Sequence, residues 1–148
     1  MDELLITLKV LKEILEKKQE ALLGVLNISQ NQETIMQSPP SPERAMFFAR
    51  TTAEKQKHID GILEYDEVFQ RMFDTVKHEL EYRKDECGED IIQLQALISR
   101  VLELDIAIRA EELKNGNLFP AAPDSAKART PAFRRQTLDA LNKHKKHI

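Results

Sequence analysis

The chain of 148 residues has no tryptophan, one cysteine, four glycines and two tyrosines. Each scarcity removes a class of fold or chemistry. A single thiol, Cys87, cannot close an intramolecular disulfide or supply a multi-cysteine metal site, and it fits a reducing compartment. Sandwiches and barrels draw on glycine turns and aromatic residues, so their shortage speaks for helices. No apolar run approaches the ~20 residues that cross a bilayer, and the opening Met1-Asp2-Glu3 is acidic where a secretion signal is basic. The expectation is a cytoplasmic protein without membrane insertion.

What is present is 41% hydrophobic and 32% charged residues, mostly Leu, Ile, Glu and Lys, the composition of helical bundles and coiled coils. The length suits one domain, able to bury about two-thirds of the surface its unfolded chain exposes. The net charge of -3 hides an asymmetry: residues 1–113 carry 14 Lys and Arg against 23 Asp and Glu, whereas residues 114–148 carry 8 against 2. A basic tail on an acidic body either folds back on that body or meets an acidic partner.

Hydrophobic spacing is the main signal. Leu4, Leu8, Leu11, Leu15, Leu22 and Val25 step by alternating fours and threes, interrupted only by Lys18, which predicts a helix over about 2–35. Leu5, Ile14, Leu23 and Leu26 widen the stripe beyond a two-stranded seam, so this helix should face more than one neighbour. Ser38-Pro39-Pro40-Ser41-Pro42 cannot continue a helix. Ser41 as N-cap with Pro42 and Glu43 behind it starts a second helix, over about 42–84, with Ile59, Ile62, Phe69, Phe73, Val76 and Leu80 in register and Asp66 in one intervening place. At ~1.5 Å per residue it is on the order of 60 Å long and reads as the spine. Gly61, costly in a helix interior, suggests a close helix contact or a bend there.

Cys87-Gly88 is a weak break, and a third helix follows over about 90–114, carrying Ile91, Leu94, Leu97, Ile98, Val101, Leu104 and Ile108. Asn115-Gly116-Asn117 is expected to end it with left-handed residues. Residues 1–117 thus read as one helical bundle. Residues 118–148 read as a basic, proline-containing tail, with a short helix over about 131–142 holding Phe133, Leu138 and Leu141. The fold class is all-α: an antiparallel three-helix bundle or long helical hairpin with a short C-terminal helix.

The search for chemistry finds no phosphate-cradling glycine loop, no nucleophile elbow and no His-Glu metal pair at helical spacing. His58 and His78 stand alone on the second helix, and His144 and His147 lie in the tail. Cys87 sits among Asp85, Glu86, Glu89 and Asp90, a negative field that makes a poor nucleophile. Asp66 and Asp105 each replace an apolar residue in a stripe, where a carboxylate sits at an edge or bonds a neighbour, or else fixes helix register or touches a partner. The basic tail has only Phe119 and Phe133 for stacking, so no specific nucleic-acid binding is expected. The expectation is a binding protein, not an enzyme, using no cofactor and no metal.

Two runs carry a family resemblance. Glu54-Lys55-Gln56-Lys57-His58-Ile59-Asp60-Gly61-Ile62-Leu63-Glu64-Tyr65-Asp66-Glu67-Val68-Phe69 resembles the second-helix pattern of FlgN-type flagellar export chaperones. Leu94-Gln95-Ala96-Leu97-Ile98-Ser99-Arg100-Val101-Leu102-Glu103-Leu104-Asp105-Ile106-Ala107-Ile108, followed by Glu112-Leu113-Lys114-Asn115, resembles that family's following helix. With the leucine-rich first helix the resemblance spans about residues 1–117; the Ser-Pro-Pro-Ser-Pro connection, the Phe47-Phe48 pair and the tail depart from it. The resemblance implies a chaperone that binds the amphipathic terminal helix of a secreted flagellar subunit, a junction or cap protein, and prevents its premature association. Candidate contact residues are Leu97, Val101, Leu104 and Ile108 on the third helix and Phe133, Leu138 and Leu141 in the tail, although plain core packing is the competing reading for the first four. A self-associating structural or regulatory coiled coil, such as a homodimer, is the alternative function.

Overall fold

Backbone hydrogen bonding decides where the helices start and stop. The structure is a computed structural model that describes residues 2–118, all of them in three helices and the turns between them: α1 (Glu3–Gln37), α2 (Pro42–Tyr82) and α3 (Gly88–Leu118). The expected all-helical bundle is what forms. Asp2 caps α1 by accepting from the Leu4 amide at 3.1 Å. Helix α1 runs two residues past Ile35 because the steric veto falls on Ser38, the residue before Pro39, which is extended. Ser41 caps α2, its hydroxyl accepting from the Arg44 amide at 3.0 Å, with Pro42 at the first position.

The other boundaries move for identifiable reasons. Helix α2 stops at Tyr82, two residues short of Lys84, in a turn where the Arg83 carbonyl accepts from the Cys87 amide at 3.2 Å. The Cys87 carbonyl then takes the first α3 bond, from Ile91 at 2.9 Å. The helix therefore begins at Gly88, and Asp90 lies in its first turn and not at its cap. At the far end α3 passes through Asn115-Gly116 to Leu118, and Gly116 is not left-handed. Asn115 is buried and its Nδ2 donates to the Ser29 carbonyl at 3.0 Å, a tertiary bond that holds this turn in the bundle. The predicted tail helix over 131–142 lies outside the described residues.

Helix α2 is the longest, but α1 is the spine. The pairings Asp2 with Arg83, Lys18 with Asp66 and Gln32 with Thr51 make α1 and α2 antiparallel, and those of Lys12 with Asp90 and Ser29 with Glu112 make α1 and α3 parallel. Both outer helices pack on α1, yet no Cα of α2 comes within 8 Å of a Cα of α3. All three helices carry an unbroken four-three stripe of inward residues, the spacing of interlocked helices. It builds two apolar clusters. One holds Leu4, Leu8, Leu11, Leu15, Phe69, Phe73, Val76, Leu80, Cys87, Ile91, Leu94 and Ile98; the other holds Leu22, Val25, Ile59, Ile62, Val101 and Ile108. Lys18 and Asp66, ion-paired and almost fully buried, stand between them.

Gly61 does not mark a close contact: a methyl group there would meet only Tyr65 Cε2 at 4.0 Å. The close approach is at Gly24 of α1, where a Cβ would lie 2.9 Å from two atoms of the His58 ring. Among the described residues, no helix is long and apolar enough to cross a membrane.

Candidate partner-binding surface

The four third-helix residues expected to contact a partner face inward. Val101 and Ile108 are buried, and Leu97 and Leu104 pack half-buried against the core. As placed they pack along the seam between α3 and the rest of the bundle. Phe133, Leu138 and Leu141 lie outside the described residues.

A different row of α3 is open. Ile92, Ser99, Ile106 and Leu113 recur every seven residues on its outer side, with Leu102 beside them; Ile92 is 62% exposed, Ile106 59% and Leu113 70%. At 3.6 residues per turn the row lies about 130° round from the buried stripe. Exposed apolar residues are individually ordinary, but Leu102, Ile106 and Leu113 fall within about three turns on the outer side of α3. The signal was present in the sequence as a second seven-residue period, out of phase with the first, and the stronger inner stripe hid it.

A matching row runs along α2. Asp60, Glu67, Asp74 and Glu81, all exposed, also recur every seven residues, about 130° from that helix's buried stripe and on the flank opposite His58, which meets α1. Local partners offset part of this charge: Gln56 donates to Asp60 at 2.8 Å, Arg71 lies 3.7 Å from Glu67 and Lys77 3.6 Å from Asp74. Such exposed pairs are weak. The acid row of α2 and the apolar row of α3 both lie on the outer surface of the bundle, away from the buried α1 stripe.

The two ends of the bundle are closed by polar groups. At the end holding the α2–α3 turn, Arg83 donates to Asp2, to Glu86 at 2.6 Å and to Glu79 at 3.1 Å. The Arg83 guanidinium pulls the Asp2 carboxyl down to about 2. Nearby, Lys12 bonds Asp90 at 2.7 Å and Gln93 at 2.8 Å. Cys87 is fully buried, and burial followed by the Asp90 charge pushes its thiol pKa up. It is an inert core residue.

At the opposite end, polar side chains occupy the inward stripe itself. Lys55 donates to Gln32 at 2.6 Å and Glu112 at 2.7 Å, Ser29 donates to Glu112 at 2.8 Å, and Gln32 donates to Thr51 and Thr52 at 3.2 and 3.0 Å. Glu33 and Glu111 share a hydrogen bond, which with burial raises the Glu111 pKa; that same bond and Lys114, 3.0 Å from Glu33, lower the Glu33 pKa. One buried oxygen each of Glu111 and Asn115 has no partner. Among the described residues, no three His, Cys, Asp or Glu side chains are grouped to hold a metal ion.

What this surface offers chemically is exposed apolar side chains on α3 and exposed carboxylates on α2. No family model matches the chain, and no curated protein or solved structure does either.

Proposed function

We propose that the protein is a non-catalytic, cytoplasmic export chaperone that holds the amphipathic terminal helix of a secreted flagellar subunit, of the junction or cap class, and prevents its early association. The observation that carries this reading is the exposed apolar row Ile92, Leu102, Ile106 and Leu113 on the outer side of α3. An apolar anchor row with one- and two-turn spacing is what a helix-in-groove partner requires, and the body is stable in water without it because its own stripe is already buried. The class of partner comes from the resemblance of residues 54–69 and 94–115 to FlgN-type flagellar export chaperones. The proposed activity needs no cofactor, metal or nucleic acid.

The test is a pull-down from lysate of the source cells with the full chain and with Ile106→Ser/Leu113→Ser, retained proteins being identified by mass spectrometry. Recovery of a flagellar junction or cap subunit by the parent, lost with the double variant, supports the reading. Both substitutions are at exposed positions, so the helical content of the variant should match the parent. Recovery of the chain alone would shift the reading to a self-associating coiled coil, which the same seven-residue row favours. Sedimentation then decides, because a homodimer through this row dissociates on dilution and in the double variant.

A further inference from the structure

We propose that the outer row of α3 docks a second copy of this chain, the two α3 helices pairing antiparallel with Ile92 on Ala110, Ala96 on Ile106 and Ser99 on Glu103 of the other copy. The proposal goes beyond the chaperone reading and does not depend on it.

Helix α3 carries two seams of four-three spacing. The inner one, Ile91, Leu94, Ile98, Val101 and Ile108, is buried in the contact with α1. The outer one is Ile92, Ala96, Ser99, Glu103, Ile106 and Ala110, continued by Leu113, and every member is exposed. Four-three spacing keeps one edge of a helix against another helix over several turns. From Ile92 to Leu113 the seam is ~32 Å long at ~1.5 Å per residue, and it lies about 130° round from the buried stripe, so α1 of each copy stays clear of the contact.

The seam is complementary to its own reverse. When two copies run antiparallel about a point level with residue 101, each isoleucine meets an alanine: Ile92 lies opposite Ala110 and Ile106 opposite Ala96, each twice through the two-fold axis. Large against small is what lets facing helices interlock. Leu102, also exposed, meets its own counterpart beside the axis. Charge agrees with shape. At the centre the Ser99 hydroxyl can donate to Glu103 of the second copy, and Arg100 comes beside that same carboxylate. Among the described residues, neither Arg100 nor Glu103 is ion-paired within its own chain. Other registers lose this match. Sliding the pair by seven residues sets Ile106 or Ile92 against Glu103, and a parallel pair stacks Glu103 on Glu103, a like-charge contact that selects against it. With two carboxylates at its middle and Leu113 beyond the paired layers, the contact is weak and yields the row to a tighter-binding helix.

The experiment uses the purified full chain with no flagellar subunit present, so its outcome is separate from that of the chaperone reading. Sedimentation should show a dimer that dissociates on dilution. Glu103→Arg and Arg100→Glu should each weaken it roughly tenfold, and Arg100→Glu/Glu103→Arg should restore it. Register is read by air oxidation of a mixture of Ala96→Cys and Ile106→Cys chains. The mixed disulfide should form, whereas neither variant should cross-link alone, because each residue lies ~15 Å along the axis from its own counterpart. Cys87 is fully buried and takes no part. All substituted positions are exposed, and unchanged helical content confirms each variant's fold. A monomer at every concentration, a charge reversal that the swap does not rescue, cross-linking of Ala96→Cys with itself, or no mixed disulfide overturns the proposal.

Discussion

The two ends of this bundle share one spacing and fill it with opposite chemistry. From Leu4 to Leu15 the inward stripe of α1 is leucine, met by Phe69, Phe73, Val76 and Leu80 and by Cys87, Ile91, Leu94 and Ile98. From Ser29 onward the same stripe is Ser29 and Gln32, met by Thr51, Thr52 and Lys55 and by Glu112 and Asn115. The apolar end gains from area removed from water and tolerates small slips. The polar end gains little net energy per hydrogen bond, but each bond misplaced in a wrong register leaves a buried group unpaired. One end supplies most of the stability, and the other fixes which turn of α3 sits beside which turn of α1.

Breaking the apolar end should have the largest effect. Phe73 is fully buried and stacks with Phe69 at 6.2 Å between ring centroids. Phe73→Ala should cost about 3–5 kcal/mol in urea unfolding, against about 1 kcal/mol for Thr51→Ala at the polar end. Equal losses at both ends would dissolve the contrast. The next effect in size is at the junction between the clusters. Lys18→Met leaves the Asp66 carboxylate without its buried cation and should cost about 3 kcal/mol in urea unfolding. Lys18→Met/Asp66→Leu should regain most of the loss. A double variant as unstable as the single one would show that the pair is not what holds this layer.

A smaller effect sharpens the view of how α1 meets α2. Gly24→Ala removes the helix cost of glycine, worth about 1 kcal/mol, but sets a methyl group 2.9 Å from the His58 ring. His58 is on the surface and its ring can turn aside, so the gain should be partial. In His58→Ala the same Gly24→Ala step should deliver the full ~1 kcal/mol in urea titration. An identical gain in both backgrounds would mean that the ring imposes nothing on α1.

The fold was legible wherever a strong period met a hard stop. The leucines of α1, the Ser41-Pro42 start of α2 and the phenylalanines of α2 needed no tertiary information, because proline and the four-three spacing act locally. The boundaries that moved depend on contacts between helices. Asn115-Gly116-Asn117 has the composition of a helix end, yet the Ser29 carbonyl binds Asn115 and the helix continues. Gly24 drew no attention because its reason for being glycine sits on another helix. The candidate site was harder to read. Leu97, Val101, Leu104 and Ile108 were conspicuous because they were apolar and in register, which is what a core seam also is. The open row at Ile92, Ile106 and Leu113 could be told from it only once the burial of α3 was known.

The smallest effect separates the two ends by pH. Asp2 has its carboxyl lowered to about 2 by Arg83; a folded value below the unfolded one stabilises the native state above pH ~3.9 and loses that contribution as pH falls toward 2. Glu111 is shifted the other way by its bond to Glu33. Its folded state holds the proton longer than the unfolded chain does, so the contribution is present below its ordinary range and declines as pH rises through the higher folded value. Glu33, lowered, offsets part of this. Glu111→Gln keeps a donor for Glu33 without the titration, so its thermal midpoint should gain on the parent as pH rises above the ordinary carboxylate range, whereas Asp2→Asn should lose to the parent at pH 5 and converge with it near pH 2. Amide exchange should localise the acid-induced opening to residues 2–8 and 79–90 and the loosening at higher pH to 29–36 and 108–116. If both ends opened together at every pH, the bundle would be one cooperative unit and the division between its two halves would be compositional, with no separate energetic meaning.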